Sequence, residues 1–190
     1  MRQETDYFEA ITAVMKNIGQ VSNSVFLGQA IEYPGTAMHN TLKGVPKSKL
    51  VEVPVEEDFQ MGISIGYAIK GFLPVSIFPR WNFLLLATNQ IVNHLDKLKD
   101  LTGEKPPKVI IRTGIGSKYP MHPGPQHVGD FSEAFRIMCP NINIVRLDTV
   151  SMIAEEYEKA IERDDGVSTI LVEWSDYFNP SFENANKNKD

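Results

Sequence analysis

Val53-Pro54-Val55-Glu56-Glu57-Asp58-Phe59-Gln60-Met61-Gly62, running on through Ile63-Ser64-Ile65-Gly66-Tyr67-Ala68-Ile69-Lys70-Gly71-Phe72-Leu73-Pro74-Val75, reads as a strand, three acids at the mouth of a helix, a Gly-studded apolar helix and a further strand. Acids in the first turn of a helix are favoured by the free backbone N–H groups and the helix dipole, so they have a purely structural reading. They also have a functional one. A single carboxyl in dry surroundings is a proton-transfer device. Glu56, Glu57 and Asp58 cannot all be buried, because unpaired buried charge is very costly; one at most is the working group.

Outward from this stretch, the chain alternates. Phe8, Ile11, Met15 and Ile18 lie on one face of a helix over 5–18, followed by a strand Ser24–Leu27. Pro34, Gly35, Gly44 and Pro46 mark 29–49 as a long loop with one short helix. Leu50–Val55, Leu73–Phe78, Lys108–Arg112, Asn143–Leu147 and Thr169–Glu173 read as strands. Helices are expected over 57–70, 82–100, near 130–138 and over 150–163. Unbroken apolar strands alternating with helices predict an α/β fold, a three-layer sandwich with a mostly parallel sheet flanked by helices. In such sheets ligands sit beyond the carboxyl ends of the strands, here the loops 28–49, 55–58 and 113–129. Residues 1–180 read as one domain and 181–190 as a polar, disordered tail.

At 190 residues, 42% apolar and with a net charge of −5, the chain has the makings of a single soluble core. It has no run of about 18 apolar residues, so no membrane span is expected. The acidic balance disfavours nucleic acid as partner. The polar opening MRQETDYFEAI lacks a signal-peptide core, which predicts a cytoplasmic protein. The lone Cys139 excludes a disulfide framework.

Three further segments carry candidate chemistry. Tyr119-Pro120-Met121-His122-Pro123-Gly124-Pro125-Gln126-His127-Val128-Gly129 sets two histidines in a rigid Pro/Gly frame. They can move protons, or be incidental to a surface loop. A metal site would want a third ligand, and none is evident, so no metal-ligating residue is assigned. Gly114-Ile115-Gly116-Ser117 is Gly-rich but lacks the lysine of a phosphate-binding loop. Arg80-Trp81-Asn82-Phe83 closes the third strand with aromatics that serve either a core or a cofactor wall. His39, His94 and Cys139 stand alone and read as structural.

Taken together, VFLGQAI, VPVEEDFQMGISIGYAIKG, WNFLLLATNQIVNHLDKL, GPQHVGDFSEAF followed by PNINIVRLDT, and ILVEWSDYF resemble the pyrimidine-binding domain of thiamine diphosphate enzymes. The likeness is to pyruvate-dehydrogenase-type β subunits and to the matching domain of transketolase, and it covers roughly residues 5–178. The resemblance implies that Glu57 matches the family's glutamate, whose carboxyl bonds the pyrimidine N1′ and favours the imino tautomer that acts as base. It implies that Phe83 packs on the pyrimidine ring, that Val55 lines it, and that His127 attends the substrate carbonyl. Gln29 stands near the ring and substrate, where the β subunits usually carry an acid. Val128 replaces the Ser of their QHS, and Leu86 a polar residue near the ring, so substrate identity is not carried over.

The resemblance further implies thiamine diphosphate as cofactor, with Mg²⁺ bound mainly by a partner chain. The family's Gly-Asp-Gly…Asn element for Mg²⁺ and diphosphate and its C-terminal domain have no counterpart here; Asp164-Asp165-Gly166 reads as a turn. A separate diphosphate-binding subunit is therefore expected, in an α2β2 assembly meeting at the 57–70 and 82–98 helices. The expected activity is transfer or cleavage next to the carbonyl of a small ketone or 2-oxo acid, passing the intermediate to an aldehyde or a lipoyl group, with a free-standing carboligase or transketolase-like pair favoured. The alternatives are a noncatalytic regulatory or scaffolding module, and a phosphate-binding protein using the loop 113–118.

Overall fold

The computed structural model describes residues 2–103, 107–116 and 122–178; the expected tail at 181–190 and the Ser117–Met121 part of the candidate loops lie outside them. Six strands form one parallel sheet: β1 (Ser24–Gly28), β2 (Leu50–Glu52), β3 (Leu73–Phe78), β4 (Ile110–Ile115), β5 (Asn143–Arg146) and β6 (Thr169–Trp174). Their order is β2-β1-β3-β4-β6-β5, and every pair among the described strands is parallel. The expected three-layer α/β architecture is thus the observed one.

Side chains alternate across the strands, and each face has its own cover. Phe26, Val75, Ile77, Ile110 and Leu171 pack under α1 (Arg2–Gln20) and α6 (Val150–Glu162), which contribute Tyr7, Ile11, Met15, Ile18, Ile153 and Tyr157. Phe78, Ile111, Ile115, Ile170 and Val172 face α2 (Glu57–Ile69), the segment 81–102 and α5 (Ser132–Met138). The chain leaves β1 for β2 on one side and returns to β3 on the other, so strand order reverses between β1 and β3. That reversal opens a crevice at their carboxyl ends, where α/β sheets bind ligands.

Three expected elements differ. Strand β4 runs Ile110–Ile115 rather than Lys108–Arg112, so Thr113, Gly114 and Ile115, expected in a loop, are buried in the sheet. Strand β2 stops at Glu52 rather than Val55. Val53 N still donates to Gly28 O at 3.0 Å, but Pro54 has no N–H to continue the ladder. The helix expected over 82–100 is broken into α3 (Trp81–Leu84), a 3-10 turn Leu85–Ala87, a π-helical segment Gln90–Leu95 and α4 (Leu98–Thr102). The π segment shows in the wide Asp96 N to Ile91 O bond at 2.8 Å. Leu84, Ile91, Leu95 and Leu98, spaced by 7, 4 and 3, all reach the core, so the break leaves the predicted apolar face intact. Asp96, buried at the segment's end, accepts from Lys97 Nζ at 2.7 Å and from Asn141 N at 2.8 Å. The loop 29–49 contains two 3-10 turns, Ala37–Leu42 and Lys47–Lys49.

Candidate active site

The β2–α2 link ends in Glu56, which is extended and exposed, and α2 begins at Glu57. Of the three acids only Glu57 is buried, at 5% exposure; Asp58 is half-buried and accepts from Gln90 Nε2 at 3.0 Å. The Glu57 carboxyl makes no hydrogen bond or ion pair with another described residue. It stands at the positive end of the α2 dipole, which favours an anion there without orienting it.

Strand β3 leads through Pro79 and Arg80 into α3, which carries half-buried Asn82 and Phe83. Strand β4 leads to the 3-10 turn Pro125–His127. The two meet. The rings of Phe83 and His127 lie 5.6 Å apart between centroids and are inclined by 50°. Arg80 Nη1 donates to His127 O at 3.2 Å, tying the loop to the β3 corner. Burial pulls the Arg80 guanidinium below its ordinary range, and nearby Asp176 works in the opposite direction. His127 Nδ1 is buried without a partner. An orphaned N–H is a costlier burial than an orphaned lone pair, which favours the tautomer with the proton on Nε2.

Gln29 follows β1 and is half-buried. Its loop is held by Glu52, whose carboxylate accepts from the backbone N–H of Ala30 (2.5 Å), Ile31 (2.9 Å) and Glu32 (3.0 Å). Three successive amides wrapped on one carboxylate force Ala30 to φ 50, a left-handed conformation that non-Gly residues adopt at a cost. Val55 is 79% exposed and contributes no wall within this chain. The structure therefore brings Phe83 and His127 together, while Glu57 and Gln29 stand at neighbouring strand ends and make no side-chain bond to that pair.

The remaining candidates have ordinary explanations. His39 Nδ1 bonds Ile31 O at 2.9 Å, and exposed His122 accepts from Gly124 N at 3.0 Å. Cys139 is buried, and burial, with Asp96 nearby, lifts its thiol to about 11, so it is no nucleophile at neutral pH. Trp81 is core, edge-on to Phe135. Among the described residues no three His, Cys, Asp or Glu side chains gather to hold a metal, and no helix is long and apolar enough to cross a membrane.

Sequence reasoning missed Glu52, Arg80 and Gln60. Gln60 is fully buried, and its Nε2 donates to Ile77 O at 3.0 Å and Ser76 Oγ at 3.2 Å. Its signal was legible: Glu57, Gln60 and Ser64 make a polar stripe at i, i+3 and i+7 on an otherwise apolar face.

Residues 3–177 match the transketolase pyrimidine-binding domain. A mitochondrial pyruvate dehydrogenase E1 component subunit beta from Caenorhabditis elegans is 31% identical over 98 residues, 51% of this chain and 27% of that protein. A solved split-gene transketolase, described as an inactive beta4 tetramer, shares the fold with a TM-score of 0.66 at 17% identity, over 88% of this chain and 50% of that one. The matched regions span half or less of these relatives' own length.

Proposed function

The chain belongs to the transketolase pyrimidine-binding domain family, and from that premise we propose that it is the pyrimidine-binding half of a split thiamine diphosphate-dependent enzyme. The observation that carries the reading is Glu57: a residue 5% exposed, at a helix N-terminus beside the strand-order reversal, whose carboxyl has no hydrogen-bond or ion-pair partner among the described residues. A carboxyl shielded from most solvent and left without a partner is costlier than a fully hydrated one. A heterocyclic nitrogen able to share its proton removes that cost, and the pyrimidine N1′ of thiamine diphosphate is such a group. When bound, the cofactor supplies an electron sink at its thiazolium carbon.

The chain's own residues then have distinct tasks. Glu57 holds and passes a proton at N1′. Phe83 offers a ring face to the pyrimidine, and Val55 and Gln29 complete its surroundings once the partner is present. His127, braced by Phe83 and by Arg80 on its carbonyl, donates from Nε2 to an oxygen of the substrate. The substrate on this reading is a small ketone or 2-oxo acid, cleaved next to its carbonyl, with transfer to an aldehyde or a lipoyl group.

The diphosphate and Mg²⁺ fall to a separate subunit, a division supported by the split-gene transketolase among the structural neighbours. Val55, Phe59 and Leu86 are exposed apolar side chains on the β2–α2 link, on α2 and after α3, and on this reading they meet that subunit in an α2β2 assembly. Glu57→Gln, assembled with the partner, is expected to lower turnover by roughly 10²-fold or more, the usual scale of a lost proton relay, with assembly unchanged. Full turnover in that variant would sink the reading in favour of a noncatalytic module.

A further inference from the structure

We propose that Gln60 is a positioning residue that fixes where the Glu57 carboxyl sits over the crevice; the inference rests on the reading of Glu57 given above. Gln60 is 0% exposed, one helical turn beyond Glu57 on the same face of α2. Its Nε2 donates to Ile77 O at 3.0 Å and Ser76 Oγ at 3.2 Å, with Leu27 O at 3.5 Å. Leu27 belongs to β1; Ser76 and Ile77 belong to β3. In the ladder Leu27 pairs with Ser76 and Gly28 with Ile77. One amide thus spans the two strands between which strand order reverses, directly beneath the first turn of α2.

The seam continues through Ser64, whose Oγ donates to Gln60 O at 2.7 Å and lies 3.1 Å from Ser76 Oγ. Stability is a poor explanation for this arrangement. Gln60 Oε1 is buried without a partner, and a buried polar atom left unsatisfied is a penalty. A methionine of the same length would fill the space with no such penalty. What the amide supplies is direction. Apart from Gln60 and Ser64, the buried side of α2, through Met61, Ile65 and Ala68, is apolar and tolerates sliding. Hydrogen bonds to carbonyls on two strands are satisfied at one height and one rotation of the helix. Glu57, three residues earlier, inherits that height.

Gln60→Met tests this on the full chain and on the enzyme assembled with its partner. In the chain, backbone amides of Gln60, Met61 and Gly62 are expected to exchange with solvent about tenfold faster, while those of β3 and β4 keep their rates. In the assembled enzyme, deuterium exchange at the thiazolium carbon of added thiamine diphosphate, measured without substrate, is expected to slow about tenfold at saturating cofactor, with little change in half-saturation. Ser76→Ala, which removes one partner and spares the fold, is expected to shift both readouts the same way but less. Unchanged amide exchange in both variants overturns the proposal. Faster amides with unchanged thiazolium exchange overturn it too, leaving a merely structural seam. Glu57→Gln separates this from the parent reading: it is expected to leave the Gln60 to Gly62 amides at their normal rates and to abolish thiazolium exchange. Persistence of that exchange would sink the role of Glu57 itself.

Discussion

Arg112→Met removes one side of an ion pair that lies wholly inside the α1/α6 face of the sheet. Arg112 on β4 and Glu173 on β6 are both 0% exposed. Nε meets Oε1 at 2.7 Å and Nη2 meets Oε2 at 2.8 Å, a bidentate fork, and Nη2 also reaches Thr41 Oγ1 at 3.1 Å. The Tyr157 hydroxyl donates to Glu173 as well. Burial works against the guanidinium charge, but Glu173 and Tyr157 together outweigh it and hold Arg112 above its ordinary range. Two charge-assisted bonds at about 1.5–3 kcal/mol each imply a loss of about 3–6 kcal/mol, in line with the ~3–5 kcal/mol typical of stranding one buried charge. Urea unfolding followed by circular dichroism should show that loss, with a midpoint temperature lower by roughly 10 °C. Arg112→Met with Glu173→Leu should recover most of it, falling short by about 1 kcal/mol because Tyr157 then lacks its acceptor. A single variant that loses under about 1 kcal/mol would refute the reasoning, and so would a double variant no more stable than the single.

Two further outcomes follow from the same core. Burial, reinforced by Glu173, raises the phenols of Tyr7 and Tyr157 above their ordinary value of 10.0. The folded state then keeps protons that the unfolded state releases, so stability is intact below about pH 10 and falls above it by about 1.4 kcal/mol per pH unit for each phenol. Unfolding free energies measured from pH 9 to 11 should show this slope, and Tyr157→Phe should flatten it; an identical slope in the variant would count against it. Cys139, with its thiol pushed up to about 11 by burial, should resist alkylation at pH 8 in the native chain and react once urea unfolds it. Stoichiometric labelling of the native chain within minutes would contradict the buried placement.

Much of this was legible because it is local. Ile11, Met15 and Ile18 declare a helix face by spacing, and the apolar runs at 73–78 and 169–173 declare strands covered on both sides. The rule that at most one of three adjacent acids is buried picks out a single carboxyl, and Glu57 is the one inside. What stayed illegible depends on distant partners. Glu52 reads as one more acid until the fold brings the amides of Ala30, Ile31 and Glu32 onto its carboxylate. The break of the 81–102 segment is not announced by its apolar spacing, since Leu84, Ile91, Leu95 and Leu98 fit an unbroken 3.6-residue repeat. The Phe83–His127 contact joins loops after two different strands, which no local pattern announces.

The buried charges are the strongest guide to where chemistry enters. Among the described residues, Glu57, Asp96, Arg112 and Glu173 are the charged side chains removed from solvent. Asp96 is met by Lys97 and Asn141, and Arg112 and Glu173 meet each other and their neighbours. Arg112 keeps one orphan, its buried Nη1, so the pairing of these structural charges is extensive but incomplete. Glu57 differs in having no side-chain partner among the described residues, and it stands where strand order reverses between β1 and β3 and a ligand can approach. A structural acid at a helix start would be solvated, as Glu56 is, or bonded, as Asp58 is to Gln90. The Glu57 residue is only 5% exposed yet its carboxyl bonds no described side chain, which leaves it available to a group from outside the chain, and the Gln60 seam beneath it holds it there at the expense of an unpaired amide oxygen.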